Sequence, residues 1–284
     1  MRSMACINIG AAVTEKNMKL EILMSCMHQC DDELIRTSRI TGDVLMINQC
    51  DRQDFQEYPT PKGMARIYST TDRGLTHSRN MAIDRSAGDI CLLCDDDEVF
   101  VENYEGAVLN AYEQLPQADV VIFKMKGREP SFPDWVMELK FPKTMKVSSW
   151  QISFRRERLL EKDVRFDELL GAGTGNGAEE ELKFLLDCQR KGLRIFYAPV
   201  EIASVRQTES TWFAGFNETF FINRGATTRY ILGWALATVY ALYYVIKKRS
   251  LYAGQITPAK AWKAIRKGIR ENKIGKQARK QHGL

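Results

Sequence analysis

The stretch DICLLCDDDEVF, residues 89–100, decides the fold class of this chain. Residues 89–94 form an apolar run short enough for a buried strand, and four acidic residues follow it directly. In sheets whose strands alternate with helices, ligands bind outside the carboxyl ends of the strands. We therefore expect Asp95, Asp96 and Asp97 to lie where a ligand binds.

The rest of the chain repeats this alternation of apolar runs and helical patterns. The predicted strands cover residues 20–27, 43–49, 65–70, 89–94, 119–125, 150–156 and 193–199. The predicted helices cover residues 30–42, 74–88, 102–115 and 178–192. Residues 51–63 and 127–147 contain several prolines and are predicted to be loops. The alternation predicts an α/β fold around a twisted, largely parallel sheet.

Composition narrows the class of protein. The chain has 284 residues, 44% hydrophobic and 27% charged, values that disfavour wholesale disorder and a polytopic membrane protein. Its seven cysteines, an odd number without regular spacing, disfavour a secreted disulfide scaffold. Residues 1–18 are predicted to be a loose leader with no apolar run of signal-peptide length, so we expect a cytoplasmic protein.

The C-terminal region combines an apolar run with a basic tail. Residues 247–284 hold 12 Lys or Arg and one acid, a net charge of 12 − 1 = +11, so the other 246 residues carry 5 − 11 = −6. The 17 uncharged residues 230–246 would span about 26 Å as a helix, whereas the hydrocarbon core of a bilayer is about 30 Å thick. We therefore expect a monotopic anchor on anionic lipid at the cytoplasmic face of the membrane. A buried helix pair and a single span are the alternatives.

Two more groups of residues carry candidate chemistry. Arg79 follows a glycine turn at a predicted helix start, where free N–H groups and a guanidinium can bind phosphate. The alternative is a helix cap with a surface ion pair. The glycine-rich loop 171–177 precedes Glu179, Glu180 and Glu181. A carboxylate after such a loop can deprotonate an acceptor hydroxyl, although acids are also common at helix N-termini.

Four of these segments, in this order, resemble the motifs of the family 2 glycosyltransferases with the GT-A fold. The segments are GLTHSRNMAI (74–83), ICLLCDDDE (90–98), GAEEELKFLLDCQRKG (177–192) and LRIFYAP (193–199). The resemblance implies a Rossmann-like, three-layer α/β fold with a central, mostly parallel mixed sheet, followed by a helical, membrane-associated segment. It divides the chain into a leader (1–18), a nucleotide-sugar-binding half (19–125), an acceptor-binding and catalytic half (126–225) and a helical, basic, membrane-associating tail (226–284).

The resemblance also implies an activity. It is the inverting transfer of a sugar from a nucleotide-sugar donor, with UDP-sugars favoured, to a glycan or lipid-linked glycan acceptor in bacterial-type surface polysaccharide synthesis. By motif, Asp97 and Asp95 would bind Mn²⁺ or Mg²⁺, with Asp96 beside them on the donor, and Arg79 would contact the donor diphosphate. The spacing to Gly192 aligns Glu181 with the catalytic base of the family and makes Glu180 the second choice.

Other positions follow from the same alignment. Ser25, Asn48 and Gln49 stand at the strand ends that contact the nucleotide in the family. Apart from that alignment, Trp212 follows Ser210 and Thr211 and is a candidate for the acceptor site, with a packed core tryptophan as the alternative. The chain departs from the family in having Glu in place of Asp as base, and in having Arg206-Gln207 where a histidine near the metal is common.

The sequence allows two other functions. One is a non-enzymatic, basic-tailed binding protein on a degenerate GT-A scaffold. Its acidic body disfavours nucleic acid as the partner, because a surface that tracks phosphates needs positive charge beside the fold. The other is a haloacid dehalogenase-like phosphatase, since Asp95 and Asp97 fit its nucleophile motif. That family needs a later strand ending in an acidic pair, which this sequence lacks.

Overall fold

The computed structural model describes residues 18–127, 132–176, 179–206 and 215–281. The strands are β1 (Leu20–Met27), β2 (Asp43–Gln49), β3 (Asp54–Pro59), β4 (Met64–Thr70), β5 (Ile90–Cys94), β6 (Glu98–Phe100), β7 (Val120–Met125), β8 (Met137–Glu138), β9 (Ile152–Arg155) and β10 (Ile195–Val205). The α-helices are α1 (Glu33–Thr37), α2 (Leu75–Arg85), α3 (Tyr104–Gln114), α4 (Arg156–Glu161), α5 (Glu180–Arg190), α6 (Glu218–Lys247), α7 (Pro258–Glu271) and α8 (Lys273–Gln281).

All of these strands form one mixed sheet. Its order is β3-β4-β2-β1-β5-β9-β7-β10-β6, with β8 paired to β10. β1 is parallel to β2 and β5, β2 is parallel to β4, and β7 is parallel to β10. β9 lies antiparallel between β5 and β7, so six of the ten strands run in one direction. The predicted α/β fold with a mostly parallel mixed sheet is confirmed.

Helices cover both faces of the sheet and make three layers. α1 and α3 pack on one face through Leu34 and Val108. α2, α4 and α5 pack on the other through Ile83, Leu159 and Phe184. Strands covered on both faces are apolar at nearly every position, which is why β2 and β5 read as continuous apolar runs in the sequence.

The parallel strands bring four chain ends to one edge. β1, β2, β4 and β5 run side by side, so Met27, Gln49, Thr70 and Cys94 end at the same edge. α2 begins at this edge after Gly74, whose φ of 118° requires a glycine. The acidic turn after β5 therefore lies at the edge where the sequence predicts a ligand.

Three elements differ from the prediction. The helix predicted over 30–42 is only α1, because Arg39 adopts a left-handed φ of 57° and ends it. The loop predicted over 51–63 contains β3, an edge strand that has only exposed or half-buried side chains. The strand predicted over 193–199 continues as β10 to Val205. The two predicted halves of the domain share the one sheet, since β9 lies between β5 and β7.

The C-terminal helices form a packed unit. A Cβ on Gly225 would lie 2.1 Å from the carbonyl oxygen of Ile265, and one on Gly268 would lie 2.0 Å from that of Ile222. The backbones of α6 and α7 therefore touch, and only glycine fits at either position. The apolar run 230–246 lies in α6, interrupted at Gly233, which has a non-helical φ of 78°.

α6 buries one face and exposes the other. Ala237, Ala241 and Tyr244 pack in a core shared with α7. The large apolar side chains on the opposite face are exposed: Trp234, Leu236, Val239, Leu242, Tyr243 and Ile246. By length and composition this helix is able to cross a membrane. The alternative of a buried helix pair is thus correct for one face of α6 only.

Candidate active site

Arg79 joins the acidic turn after β5 to the start of α5. Its Nη2 donates to Asp95 Oδ1 at 2.9 Å, and its Nη1 lies 3.3 Å from Glu180 Oε1. The guanidinium stacks 5.4 Å from the ring centroid of Phe166 and is 2% exposed. Burial opposes its charge, but the two carboxylates outweigh that effect and raise the pKa of Arg79. α2 thus fixes a permanent cation between Asp95 and Glu180, two acidic residues 180 − 95 = 85 positions apart in the sequence.

The acidic turn is held by several groups. Asp95 Oδ2 accepts a hydrogen bond of 2.9 Å from Ser149 Oγ, so both carboxylate oxygens of Asp95 have partners. The backbone N–H of Asp95 donates to Glu98 Oε1 at 2.7 Å. The backbone N–H of Arg206 donates to the carbonyl oxygen of Asp97 at 2.8 Å, which ties the end of β10 to the turn. Asp96 is exposed and Asp97 is half-buried.

The three consecutive glutamates before and in α5 have three different surroundings. Glu179 Oε1 lies 2.9 Å from Arg224 Nη1 of α6, and Glu180 pairs with Arg79. Glu181 has a buried Oε2 with no hydrogen-bond partner among the described residues. Burial, then Glu180 and Glu179, raises the pKa of Glu181 well above its ordinary value. Glu181 is therefore the acid of the three that is best prepared to accept a proton.

The glycine-rich loop is fastened to the start of α2. Gly171 has a φ of 98°, and a Cβ there would lie 3.0 Å from Cγ2 of Thr76. Thr76 Oγ1 donates to the carbonyl oxygen of Leu170 at 2.9 Å, and the N–H of Leu75 donates to that of Ala172 at 3.1 Å. Residues 177 and 178 lie outside the described ranges. The loop thus brings the start of α5 to the same edge as α2.

The residues predicted to contact the nucleotide lie close together at the ends of β1 and β2, but they differ in how far their polar groups are already used in hydrogen bonds within the protein. Asn48 is fully buried, and its amide is used internally: Nδ2 donates to Gln29 O and Ser69 Oγ, and Oδ1 accepts from Gln29 N. Gln49 Oε1 accepts from the N–H of Gly74 at 2.8 Å. Ser25 Oγ accepts from Ser78 Oγ at 2.9 Å. In this arrangement Asn48 shapes the strand ends rather than presenting a free amide to a ligand.

The carboxylate groups of the turn determine which cofactor would fit. In the described ranges, no three His, Cys, Asp or Glu side chains are grouped as a metal site. Partial desolvation of its carboxyl group, and then the charge of Asp95, raise the pKa of Asp96, and a bound cation would lower it again. Carboxylate oxygens suit a hard ion such as Mg²⁺ or Mn²⁺. Asp97, with Asp96 beside it, fits that role, whereas Asp95 would have to release Arg79 or Ser149 to become a ligand.

Sequence comparison identifies the class of enzyme. The profile described as Glycosyl transferase family 2 matches residues 51–171, which include α2, β5 and the acidic turn. This segment is that of a family 2 glycosyltransferase. A search of curated proteins found no match to the chain.

Solved structures show the same fold for this glycosyltransferase. TarS 1–349 of S. aureus superposes with a TM-score of 0.56 at 13% identity, over 94% of this chain and 92% of TarS 1–349. Its complex with UDP gives a TM-score of 0.57 at 14% identity over the same shares of the two chains. Its complex with UDP-GlcNAc gives 0.55 at 15% identity, over 89% of this chain and 72% of that one. The GT-A fold predicted from the motifs is thereby confirmed.

The glycosyltransferase gathers nearly all of its predicted site residues at one edge of the sheet, and their roles are proposed below. Trp212 lies outside the described residues. Sequence reasoning missed Ser149 and Arg224, because both come from segments far from any motif and reach the site only through tertiary packing. The available signal was Arg224 itself, one of two arginines, with Arg229, in a largely apolar helix.

Proposed function

We propose that this glycosyltransferase moves a sugar from a nucleotide-sugar donor to a glycan or lipid-linked glycan, with inversion, in bacterial-type surface polysaccharide synthesis. The supporting observation is the contact of Arg79 with both Asp95 and Glu180. It places the acidic turn, which would bind the donor, in one buried network with the glutamates that would receive the acceptor proton. Proximity of this kind makes transfer effectively unimolecular.

In the proposed mechanism, Arg79 orients Asp95 and Glu180 and contributes positive charge toward the donor diphosphate. Glu181 accepts the proton of the acceptor hydroxyl as its oxygen attacks the anomeric carbon from the face opposite the leaving group. Asp97 would hold Mn²⁺ or Mg²⁺, and the bound ion would supply positive charge to offset that of the leaving nucleoside diphosphate. Glu180 is the second candidate for base, but its carboxylate is already engaged by Arg79.

Charge supports a requirement for the metal. Asp95 and Glu180 pair with one buried cation, Arg79, and Asp96 and Asp97 follow Asp95 in the same turn. A diphosphate would be repelled by this surplus of carboxylates unless a divalent ion offset it. UDP-sugars are the first donors to test, since TarS has been crystallised with UDP-GlcNAc and UDP.

We expect one nucleotide-sugar class to raise the melting temperature only when Mn²⁺ or Mg²⁺ is present, and Asp97→Ala to abolish this rise. A ligand at a hundredfold excess over its Kd adds about 2.7 kcal/mol of stability. The measurement is a thermal shift against UDP-, GDP-, dTDP- and CMP-sugars with and without metal. The matched control is Asp134→Ala, whose side chain is 81% exposed and pairs with Lys124 on β7.

Two results would count against this function. A donor-dependent shift that survives in Asp97→Ala, or that needs no metal, would contradict the assigned metal role. No shift with any donor, from protein shown to be folded by circular dichroism, would favour the degenerate binding protein.

We further propose that the enzyme is a peripheral protein of the inner membrane face, held there by the exposed face of α6. Trp234, Leu236, Val239 and Ile246 on that face are each at least 49% exposed. Residues 247–249, all basic, lie at the C-terminal end of α6, and α7 and α8 carry the other cations of the tail. Apolar side chains next to basic residues suit an anionic bilayer surface. A full span is disfavoured because α7, packed on α6, would carry Lys263 and its neighbours into hydrocarbon.

We expect the double variant Leu236→Asp/Val239→Asp to lose binding to anionic vesicles while remaining folded, because both side chains are exposed. Co-sedimentation with vesicles of phosphatidylcholine and phosphatidylglycerol measures this, and Phe55→Asp on β3, 46% exposed, is the control. Substitution tests membrane binding without disturbing the fold, whereas deletion of residues 226–284 would also remove Ala226, Ile231 and Ile274, which pack on the catalytic body. Retained binding by the double variant, or a dimer in solution that the same variant dissociates, would overturn the membrane proposal.

A further inference from the structure

Arg224 of α6 is held rigidly against the acidic segment before α5. Its Nη1 contacts Glu179 Oε1 at 2.9 Å and also the hydroxyl of Tyr240. Its guanidinium lies 5.1 Å from the ring centroid of Phe220 and 4.6 Å from that of Tyr244. An arginine that stacks on two rings and binds a carboxylate has few rotamers left. α6 therefore presents a fixed cation to Glu179.

Glu179 has an uncommon backbone conformation. Its φ is 71° and its ψ is 15°, the left-handed region that few residues other than glycine, asparagine or aspartate adopt. Its carbonyl oxygen accepts from the N–H of Lys183 at 3.1 Å, in the first turn of α5. Such strain persists only where the surroundings hold it. The ion pair with Arg224 is the side-chain contact that the structure gives Glu179 for this purpose.

α6 is also bound to α5 and to the segment before the glycine loop. Ala226 and Ile231 share a core with Leu182 and Leu186 of α5. Arg190 Nη2 donates to the carbonyl oxygen of Ile231 at 3.2 Å. The position of Arg224 relative to α5 is thus set by packing on both sides of the ion pair.

We propose that Arg224 is a positioning residue for the reaction: by binding Glu179 it holds the turn into α5 so that Glu180 pairs with Arg79 and Glu181 forms no ion pair among the described residues. This inference rests on the assignment of Glu181 as proton acceptor under the proposed function. It assigns a catalytic purpose to α6, which the family motifs do not include.

The charges around Glu181 allow the idea to be tested. The charged groups that act directly on Glu181 are Glu179 and Glu180 on its own segment and Arg79 on α2. Behind Arg79 lies Asp95. Behind Glu179 lie three side chains of α6: Arg224, Tyr240 and Tyr244. Glu179 raises the pKa of Glu181, and Arg224 offsets the charge of Glu179. Removing the cation and removing the anion should therefore move the titration of Glu181 in opposite directions.

The experiment compares Arg224→Gln, Glu179→Gln, the double variant and Arg224→Lys. Protein labelled with ¹³C at the glutamate carboxyl is titrated by NMR, and the Glu181 signal is assigned as the one missing in Glu181→Gln. The midpoint should rise by about one pH unit in Arg224→Gln, fall in Glu179→Gln and return near wild type in the double variant. Arg224→Lys keeps the positive charge, so its Glu181 midpoint should stay near that of wild type. This variant tests the charge effect if the Gln variants fold poorly.

A parallel measurement of kcat against pH separates this inference from the proposed function. The acid limb of kcat should follow the NMR midpoint, so Arg224→Gln should lose about tenfold in kcat below it, for a shift of one unit. Opposite NMR shifts without any sugar transfer would overturn the function and leave the coupling intact. Transfer by all variants with an unmoved Glu181 midpoint and acid limb would overturn the positioning role.

Discussion

Glu181→Gln is expected to lower kcat for sugar transfer by about 10²- to 10⁴-fold, the contribution typical of a general base. Glu181 has a buried oxygen without a partner among the described residues, and burial raises its pKa. A carboxylate in this state takes up a proton readily, whereas glutamine offers no comparable base. Steady-state kinetics with the donor found by thermal shift measure the loss.

The pH dependence and Glu180→Gln distinguish the two candidate bases. Wild-type kcat should rise with pH as Glu181 loses its proton, with a midpoint above that of an ordinary glutamate. The residual activity of Glu181→Gln should not show this rise of kcat with pH. If Glu180→Gln instead abolished transfer while Glu181→Gln retained it with the limb intact, Glu180 would be the base.

The same substitution has a predictable effect on stability. The folded protein holds the proton of Glu181 more tightly than the unfolded chain does, because its folded pKa is raised. Wild type therefore loses stability as pH rises from the unfolded pKa to the folded one. Glutamine does not titrate, so the free energy of unfolding of Glu181→Gln relative to wild type should increase over this interval. Urea unfolding at a series of pH values measures it.

Arg79→Met is expected to lower the free energy of unfolding by about 3–5 kcal/mol, the usual cost of removing one partner from a buried ion pair. Methionine fills part of the space over Phe166 but leaves Asp95 and Glu180 without their cation. That loss is a large fraction of the total stability of a typical domain. Urea unfolding followed by circular dichroism measures it, and donor binding should be lost as well.

A double variant identifies the cause of that loss. If uncompensated charge is responsible, Arg79→Met/Glu180→Gln should recover part of the stability lost in Arg79→Met. The control is Arg36→Met, which removes a 67% exposed arginine paired with Asp32 and should cost no more than about 1 kcal/mol. No recovery in the double variant would show that packing over Phe166, and not charge, carries the effect.

Local sequence determined the elements that are buried on both faces. β1, β2 and β5 need continuous apolar runs, and their bounds were predicted to within a residue. β3 was missed because an exposed edge strand needs no such run. The predicted helix over 30–42 was too long because nothing in the local pattern reveals the left-handed Arg39 that ends α1.

The sequence by itself determined the α/β class, the family motifs and the placement of acidic residues at strand and helix ends, because strand and helix periodicity and turn chemistry are local. Only the tertiary structure decided the partners of those acids. Asp95 is held by Arg79 and Ser149, and Glu179 by Arg224. These contacts join residues 16, 54 and 45 positions apart. The Oε2 atom of Glu181 becomes buried only once the sheet, α5 and α6 have packed together.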